Sequence, residues 1–241
     1  MNAVLSDAAV WLTQSPLPWL VLTVLAYLGA AWLYRRSGNN PFLIPVLTAV
    51  ALIVAVLLLT DTPYPVYFQG VEFIYFLIGP ATVALAVPLY RQLDRIKQMW
   101  LPLGLALLAG SSVAIVSALL VAWALGGSLE TLMSLAPKSA SMPFALPVAE
   151  RMGGLPSLAA VAVAITGIAG TILARPLLQA LRIDDPAVRG FAVGLTAHAI
   201  GTARELQFNQ TAGAFAALAM GLNGIATAVL VPLIVQLLPR L

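Results

Sequence analysis

The amino-acid sequence predicts an all-α polytopic membrane protein with about 6–8 transmembrane helices, some of them broken or re-entrant at prolines. Hydrophobic residues make up 61% of the chain and charged residues only 9%, against about 25% charged in ordinary soluble domains. Charged residues are absent from six windows, most of which reach or approach the roughly 20 residues of a spanning helix: 8–34, 37–60, 73–90, 98–129, 152–174 and 206–239. A soluble core of this size would need charged helix faces, which the sequence lacks.

The basic residues set topology rather than bind nucleic acid. The net charge is +3, but Lys and Arg lie at the ends of apolar windows, where they orient helices: Arg35, Arg36, Arg91, Arg95, Lys97, Arg182 and Arg189. The chain has no cysteine, which excludes disulfides, thiolate catalysis and Cys-based metal sites. The N-terminal MNAVLSDAAVWL lacks a positive n-region, so we expect the first apolar segment to remain as a helix.

The first half of the chain predicts four spans in order. The first, 16–34, ends at Arg35–Arg36, and SGNNP opens the second, 42–59. The third, 73–90, contains Pro80 and Pro88 and is followed by RQLDRIK, a basic cytoplasmic connector. The fourth is 100–125.

The second half is less regular. The segment 136–154 has three prolines, two serines and Lys138, and is too short and broken for a simple spanning helix. If it crosses, Arg182 and Arg189 lie outside; if it re-enters, they lie inside, which the positive-inside rule favours. A clear span at 157–181 follows, then a short small-residue segment at 190–203, the polar patch RELQFNQT and a long span at 213–238.

Pro80 and Pro137 begin similar segments, IGPATVALAVPL and LAPKSASMPFALPV, each followed by a proline-opened long helix. Such pairs indicate a weak internal repeat, and paired broken helices are a pointer to a transporter binding site. Membrane helices also contain Pro and Ala without such a role, and that alternative stays open.

Lys138 is the one cation of 131–149. Pro137–Lys138–Ser139 is consistent with the first turn of a half-helix, whose free N–H groups and ammonium would together suit a carboxylate. The alternative is a lysine that extends to the membrane interface.

His198 is the single histidine of the chain. It can contact or protonate a substrate, or it can form a hydrogen bond between packed helices. Thr202 shares its helical face if the helix continues past Gly201. Arg204 has the forked geometry that binds a carboxylate, but Glu205 beside it can neutralise it, and a surface Arg–Glu pair is the simpler interpretation.

GAFAALAMGLNG presents a face of small residues, including Gly213 and Gly221, that lets helices approach closely. Asn223 within it needs hydrogen-bond partners. No Asp or Glu lies within a long apolar window, and no Walker loop or Ser-His-Asp pattern occurs. We therefore expect no enzyme activity, metal or cofactor.

The motifs LIGPATVALAVPLY, LAPKSASMP, GGLP–ITGIAG and RGFAVGLTAHAIGTARE…GAFAALAMGLNG resemble the LrgB/CidB family of bacterial membrane proteins. The resemblance implies a multi-pass protein of the bacterial inner membrane. It implies one of two functions: a holin-like modulator of murein hydrolases and autolysis that acts with a small LrgA/CidA-type partner, or a carboxylate transporter related to the plastidial glycolate/glycerate translocator.

We therefore predict one integral membrane domain over 1–241, with generic helices at 1–70 and a transport core at 71–241. It would move small monocarboxylates of the glycolate, glycerate, pyruvate and lactate class, with autolysis modulation as the alternative, and we expect a homo-oligomer in the bilayer. The candidate substrate contacts are Thr82, Lys138, Ser139, His198, Thr202, Arg204 and Asn223, and the hinge or packing residues are Pro80, Pro88, Pro137, Gly201, Gly213 and Gly221.

Overall fold

The computed structural model describes residues 17–237, and over that range the chain is helical without β-strands. Helices α1 to α4 are Leu17–Arg36, Pro45–Leu59, Tyr64–Phe76 and Ile78–Ala84, with a short 3₁₀ turn at Pro41–Leu43. Helices α5 to α12 are Ala86–Arg91, Leu93–Gln98, Trp100–Ala124, Leu129–Leu135, Met142–Arg151, Pro156–Ala180, Pro186–Phe208 and Gln210–Leu237. The predicted all-α class is confirmed, whereas the N-terminal stretch MNAVLSDAAVWL lies outside the described residues.

Within residues 17–237, five apolar helical segments are long enough to cross a membrane: Leu17–Arg36, Tyr64–Arg91, Trp100–Ala124, Pro156–Ala180 and Gln210–Leu237. The run Tyr64–Arg91 includes α3, α4 and α5, which Leu77 and Leu85 separate. Both of these residues keep right-handed helical dihedrals, so Pro80 and Pro88 lie in short helical pieces rather than at a chain reversal. The shorter apolar helix Pro45–Leu59 adds to this set.

The chain divides into two compact units after Ala84, and the predicted single membrane domain with generic helices at 1–70 stays a prediction. In the first unit, small residues of α1 pack against α2: Ala26 and Ala30 meet Ala49 and Ile53. The Thr23 hydroxyl lies 3.0 Å from the Tyr67 hydroxyl of α3. The second unit holds α5 to α12.

The second unit contains a re-entrant hairpin, formed by α8 and α9. The Arg95 guanidinium lies 2.7 Å from the Asp185 carboxylate, so the start of α7 and the end of α10 are on one side. Each of these helices has 25 residues, about 37 Å at 1.5 Å per residue, so their other ends lie on the opposite side. The chain from 125 to 155 therefore leaves and returns to that opposite side, which settles the open choice between crossing and re-entry. We call 129–152 the first hairpin.

Helix α11 is itself a second hairpin. Gly190 and Gly194 face the backbone carbonyls of Ala212 and Ala216, and this equal spacing means that 186–197 runs parallel to the start of α12. Since α12 begins directly after Asn209, the limb 199–208 must run back. Gly201 accordingly lies against Val193 and Ala197 of the first limb. The predicted short segment 190–203 was wrong, because the helical chain extends to Phe208 and reverses at His198.

The two hairpins enter from opposite sides. The first limb of the second hairpin packs with the start of α7 and α12, where Phe191 meets Leu103 and Phe215. The first hairpin packs with the other ends of the same helices, where Leu132 meets Leu119 and Val231. Within the second unit the first hairpin and 186–208 thus form two oppositely directed hairpins, while the predicted sequence repeat between the Pro80 and Pro137 segments stays a prediction. The side with Arg95 and Arg182 is richer in cations, and the positive-inside rule assigns it to the cytoplasm.

Candidate functional site

Asn223 joins the tips of both hairpins near the middle of α12. Its side-chain Nδ2 donates to the Ser139 carbonyl oxygen at 2.9 Å and to the Leu195 carbonyl oxygen at 3.1 Å. Its Oδ1 accepts a hydrogen bond from the Ser111 hydroxyl of α7 at 2.7 Å. Asn223 is 1% exposed, and three of the four hydrogen bonds that its amide can form join α12 to α7 and to both hairpins.

Both carbonyls need such a partner because the backbone is irregular at each tip. Ser139 lies in the turn between α8 and α9, and Leu195 lies in the helical turn that His198 interrupts. A buried carbonyl that loses its helical partner costs free energy unless another donor replaces it. The buried amide predicted to need partners thus satisfies the backbone of two broken helices.

The backbone at the tip of the first hairpin differs from the predicted half-helix. Pro137–Lys138–Ser139 does not begin a half-helix: it forms turns in which Lys138 N–H donates to the Leu135 carbonyl oxygen and Ala140 N–H to the Pro137 carbonyl oxygen. Helix α9 begins at Met142, with Ser141 at its N-cap position. Of its two prolines, Pro143 lies in the first turn, where a missing N–H costs least, and Pro147 lies inside the helix.

His198 has an unusual backbone conformation, with φ 40° and ψ −128°. Residues with a side chain rarely adopt positive φ outside the left-handed helical region, and such strain concentrates at functional sites. The ring is buried, and Nε2 lies 3.0 Å from the Val163 carbonyl oxygen of α10. Since a carbonyl only accepts, Nε2 carries the proton, and Nδ1 has no hydrogen-bond partner among residues 17–237.

Thr202 stabilises the reversal from the returning limb. Its hydroxyl donates to the His198 carbonyl oxygen at 2.7 Å, and the residue is 2% exposed. The interruption expected at Gly201 is three residues earlier, at His198, and Gly201 instead allows the two limbs to approach. The helix continues past Gly201 to Phe208, so Thr202 follows His198 by one helical turn, as the predicted shared face required.

Arg204 is buried, at 8% exposed, so its interpretation as half of a surface Arg–Glu pair was wrong. Its guanidinium donates to the Thr171 carbonyl oxygen at 2.7 Å and lies over the Phe208 ring, 5.8 Å from the centroid. Nε has no hydrogen-bond partner among the described residues. Within that same range Arg204 forms no ion pair, because the one salt bridge there joins Arg95 and Asp185.

Lys138 and Thr82 lie elsewhere. Lys138 is half-buried beside a cavity of about 290 Å³ between the first hairpin and α7, which Ser117 and Val121 also line. Thr82 belongs to the first unit, is exposed, and donates its hydroxyl to the Ile78 carbonyl oxygen of its own helix at 2.7 Å. Within the second unit the structure thus brings Ser111 and Ser139 together at Asn223 and attaches His198 and Arg204 to α10 at carbonyls eight residues apart, whereas Lys138 forms no side-chain hydrogen bond with any of them.

Some site residues were missed. Ser111 and Thr171 are buried polar side chains within apolar windows, and that pattern was the available signal. The carbonyls of Val163 and Leu195 carry no side-chain signal at all. No group of three or more His, Cys, Asp or Glu residues suited to a metal ion occurs in the described part of the chain.

The family model described as the LrgB-like family matches residues 23–237. The chain belongs to the LrgB-like family. That family match spans both structural units, including the first two helices that looked generic in sequence.

Similar LrgB-like proteins come from Bacillus species. The uncharacterized protein YxaC of Bacillus subtilis (strain 168) is 39% identical over 90% of this chain and 94% of its own length. YwbG of the same strain is 34% identical over 90% and 96%. The antiholin-like protein LrgB of Bacillus mycoides (strain KBAB4) is 29% identical over 92% and 96%. No solved structure matches significantly.

Proposed function

We propose that this LrgB-like protein transports small monocarboxylates of the glycolate, glycerate, pyruvate and lactate class across the bacterial inner membrane. Two hairpins that enter from opposite sides and meet in the middle of the membrane are suited to alternating access, because irregular backbone at depth is tolerated where it lines a site. The family resemblance supplies the substrate class.

The observation that supports an anion is the state of Arg204. A guanidinium buried without a carboxylate is costly unless a negative charge compensates it. Nε is already without a partner, so a carboxylate would gain a charge-assisted hydrogen bond without displacing the bond to Thr171.

His198 also supports a site beside α10, because it binds a backbone carbonyl of the helix that Arg204 binds. Its partner Val163 and the Arg204 partner Thr171 are eight residues apart, so they lie on neighbouring sides of that helix, about 12 Å apart along its axis. The unpartnered Nδ1 of His198 offers a hydrogen-bonding atom for a hydroxyl or keto group. Ser139, Thr202 and Asn223 support the tips, and Lys138 and Thr82 stay candidate contacts in this proposal.

Uptake of radiolabelled glycolate, pyruvate and lactate into liposomes that contain the pure protein tests the proposal. We expect saturable uptake that Arg204→Gln abolishes and that Arg175→Gln, which changes an exposed arginine of α10, leaves intact. Absence of uptake for all three substrates in the folded wild-type protein would refute transport. Uptake by Arg204→Gln with an unchanged KM would remove Arg204 from the site.

Modulation of autolysis is the second candidate, and the antiholin-like name of several relatives favours it. It would require a small LrgA/CidA-type membrane partner. Release of a trapped dye from the same liposomes, with and without such a partner, distinguishes this function. Leakage that depends on oligomer size and shows no saturable substrate supports it, whereas tight liposomes with saturable uptake support transport.

Self-association belongs to the same proposal. Gly221 lies on the small-residue face of α12, and a methyl group added there would meet no atom of the described residues within 4 Å. The face at Gly221 is therefore open for a second copy, as small residues are at membrane helix interfaces. Gly221→Leu should reduce the oligomer size measured by native mass spectrometry in detergent, and an unchanged size would place the contact elsewhere.

A further inference from the structure

The second hairpin is fixed to α12 by backbone contacts. Gly190 and Gly194 place the first limb directly against the Ala212 and Ala216 carbonyls, and Gly213 places α12 against Leu206 of the returning limb. Backbone groups in such contact have no side chain that could adjust between them. The second hairpin and α12 therefore behave as one packed body.

The first hairpin is held more loosely at its tip. Helix α9 meets α12 through the Phe144 ring, which covers Gly224, and the neighbouring turn meets α12 through the hydrogen bond between Asn223 and the Ser139 carbonyl. Its small residue Ala145 packs with Val163. A ring on a glycine and one side-chain hydrogen bond can separate without moving the backbone of α12.

The base of this hairpin is, by contrast, anchored. Leu132 and Met133 of α8 pack with Ile115 and Val231 in a buried cluster. The Ser134 hydroxyl accepts a hydrogen bond from Leu155 N–H at 2.8 Å. Val148 and Met152, near the end of α9, pack against the same cluster, so the end of α9 next to Gly153 stays in place while its start and the turn before it can move.

Helix α9 has a pivot at each end. Before it lies the non-helical turn 136–141, where Ser141 makes no side-chain capping bond. After it lies Gly153, whose φ of 82° is open to glycine and strained for other residues. Such element-terminal positions absorb the dihedral changes of a hinge.

We propose that α9 is the mobile gate of the protein, that it opens the site to the side opposite Arg95, and that Asn223 is the latch that keeps it closed. The second hairpin stays with α12 when this gate opens. This inference rests on the proposed transport function, since a gate serves a site that solutes reach.

Thiol labelling tests the gate independently of transport, because the wild-type chain has no cysteine. Ser141→Cys reports on the first hairpin and Thr202→Cys on the second, and both positions are buried, at 9% and 2% exposed. Each is labelled with a membrane-impermeant maleimide from the outside in spheroplasts and from the cytoplasmic side in inverted vesicles. The latch is released by Asn223→Ala or, as a second variant that keeps the amide, by Phe144→Ala.

We expect both releasing variants to speed outside labelling of Ser141→Cys by about tenfold, which corresponds to about 1.4 kcal/mol in the opening equilibrium. Labelling of Thr202→Cys should stay slow in both. An unchanged Ser141→Cys rate, faster labelling from the cytoplasmic side, or an equal gain at Thr202→Cys would each overturn the gate. Because this readout requires no uptake, a failed transport assay with the expected labelling refutes the proposed function alone.

Discussion

Arg95 and Asp185 form an ion pair, with guanidinium nitrogen and carboxylate oxygen 2.7 Å apart, although 90 residues separate them in the chain. The pair links the start of α7 to the start of the second hairpin. The pair places the start of α7 and the end of α10 on one side, and the re-entry of the first hairpin follows from that placement.

The first prediction concerns this topology. Single cysteines at Ser128 and at Arg182, both exposed, should be labelled from opposite sides of the membrane. Ser128→Cys should react with an impermeant maleimide in spheroplasts, and Arg182→Cys in inverted vesicles. Labelling of both from one side would mean that 129–152 crosses the membrane.

The second prediction concerns acid sensitivity at Asp185. Partial desolvation raises the pKa of this carboxyl, but the backbone N–H groups of Ala187 and Val188 and the Arg95 guanidinium outweigh it, so the pKa is lowered overall. A lowered folded-state pKa means that the stabilisation is fully present above the ordinary carboxyl value of about 4 and is lost as pH falls through the lowered value.

Asp185→Asn keeps a residue that caps α11 but removes the charge. It should lower stability at pH 7 by about 0.2–1 kcal/mol, as an exposed ion pair does. The difference from wild type should shrink as the pH is lowered below 4, measured by thermal unfolding in detergent. Arg95→Gln is the matched control, and adding it to Asp185→Asn should cause little further loss.

The helices could be predicted from sequence, whereas their reversals could not. Uninterrupted apolar windows predicted α7, α10 and α12 to within a few residues, because hydrophobic length alone dictates a spanning helix. The reversal at His198 has no proline to mark it, and it depends on Gly190 and Gly194 packing against α12, which is a tertiary contact.

The residues of the candidate site could be predicted only in part, because tertiary contacts leave no pattern in the sequence. Asn223 and His198 stood out as polar residues in an apolar setting, and both lie at the hairpin tips. The burial of Arg204 could not be inferred, because Glu205 beside it suggested a surface pair. Its partner is the Thr171 carbonyl, and a backbone acceptor has no sequence signature.

The third prediction concerns Gly194. An added methyl group would overlap the Ala216 carbonyl, and a backbone carbonyl cannot move aside. Gly194→Ala should therefore destabilise the protein by about 1–3 kcal/mol or more, measured by thermal unfolding in detergent. Gly104→Ala in α7 is the control, since nothing lies within 4 Å of its added methyl, and alanine should be neutral or better there. Equal stability of the two variants would contradict the close packing of the second hairpin.

The fourth prediction concerns Asn223. Asn223→Leu leaves the buried Ser139 and Leu195 carbonyls and the Ser111 hydroxyl without their hydrogen-bond partner. Each buried polar group left without a partner lowers the free energy of unfolding by about 1–3 kcal/mol. Ser111→Ala leaves only the Asn223 oxygen without a donor. We expect the leucine variant to lower the unfolding temperature more than Ser111→Ala does. A smaller effect of Asn223→Leu would mean that the tips do not depend on the amide.

The last prediction separates the strain at His198 from its chemistry. His198→Gly and His198→Ala both lose the imidazole and its bond to Val163, so they differ only in the methyl group. In an ordinary helix alanine is more stable than glycine by about 1 kcal/mol. At φ 40° and ψ −128° a side chain costs about 1–3 kcal/mol, so the order should reverse and His198→Gly should unfold at the higher temperature. If His198→Ala is the more stable variant, residue 198 is helical and α11 does not reverse there. Both variants should lose any uptake that depends on the imidazole ring, because relieving the backbone strain at residue 198 does not replace the Nδ1 atom.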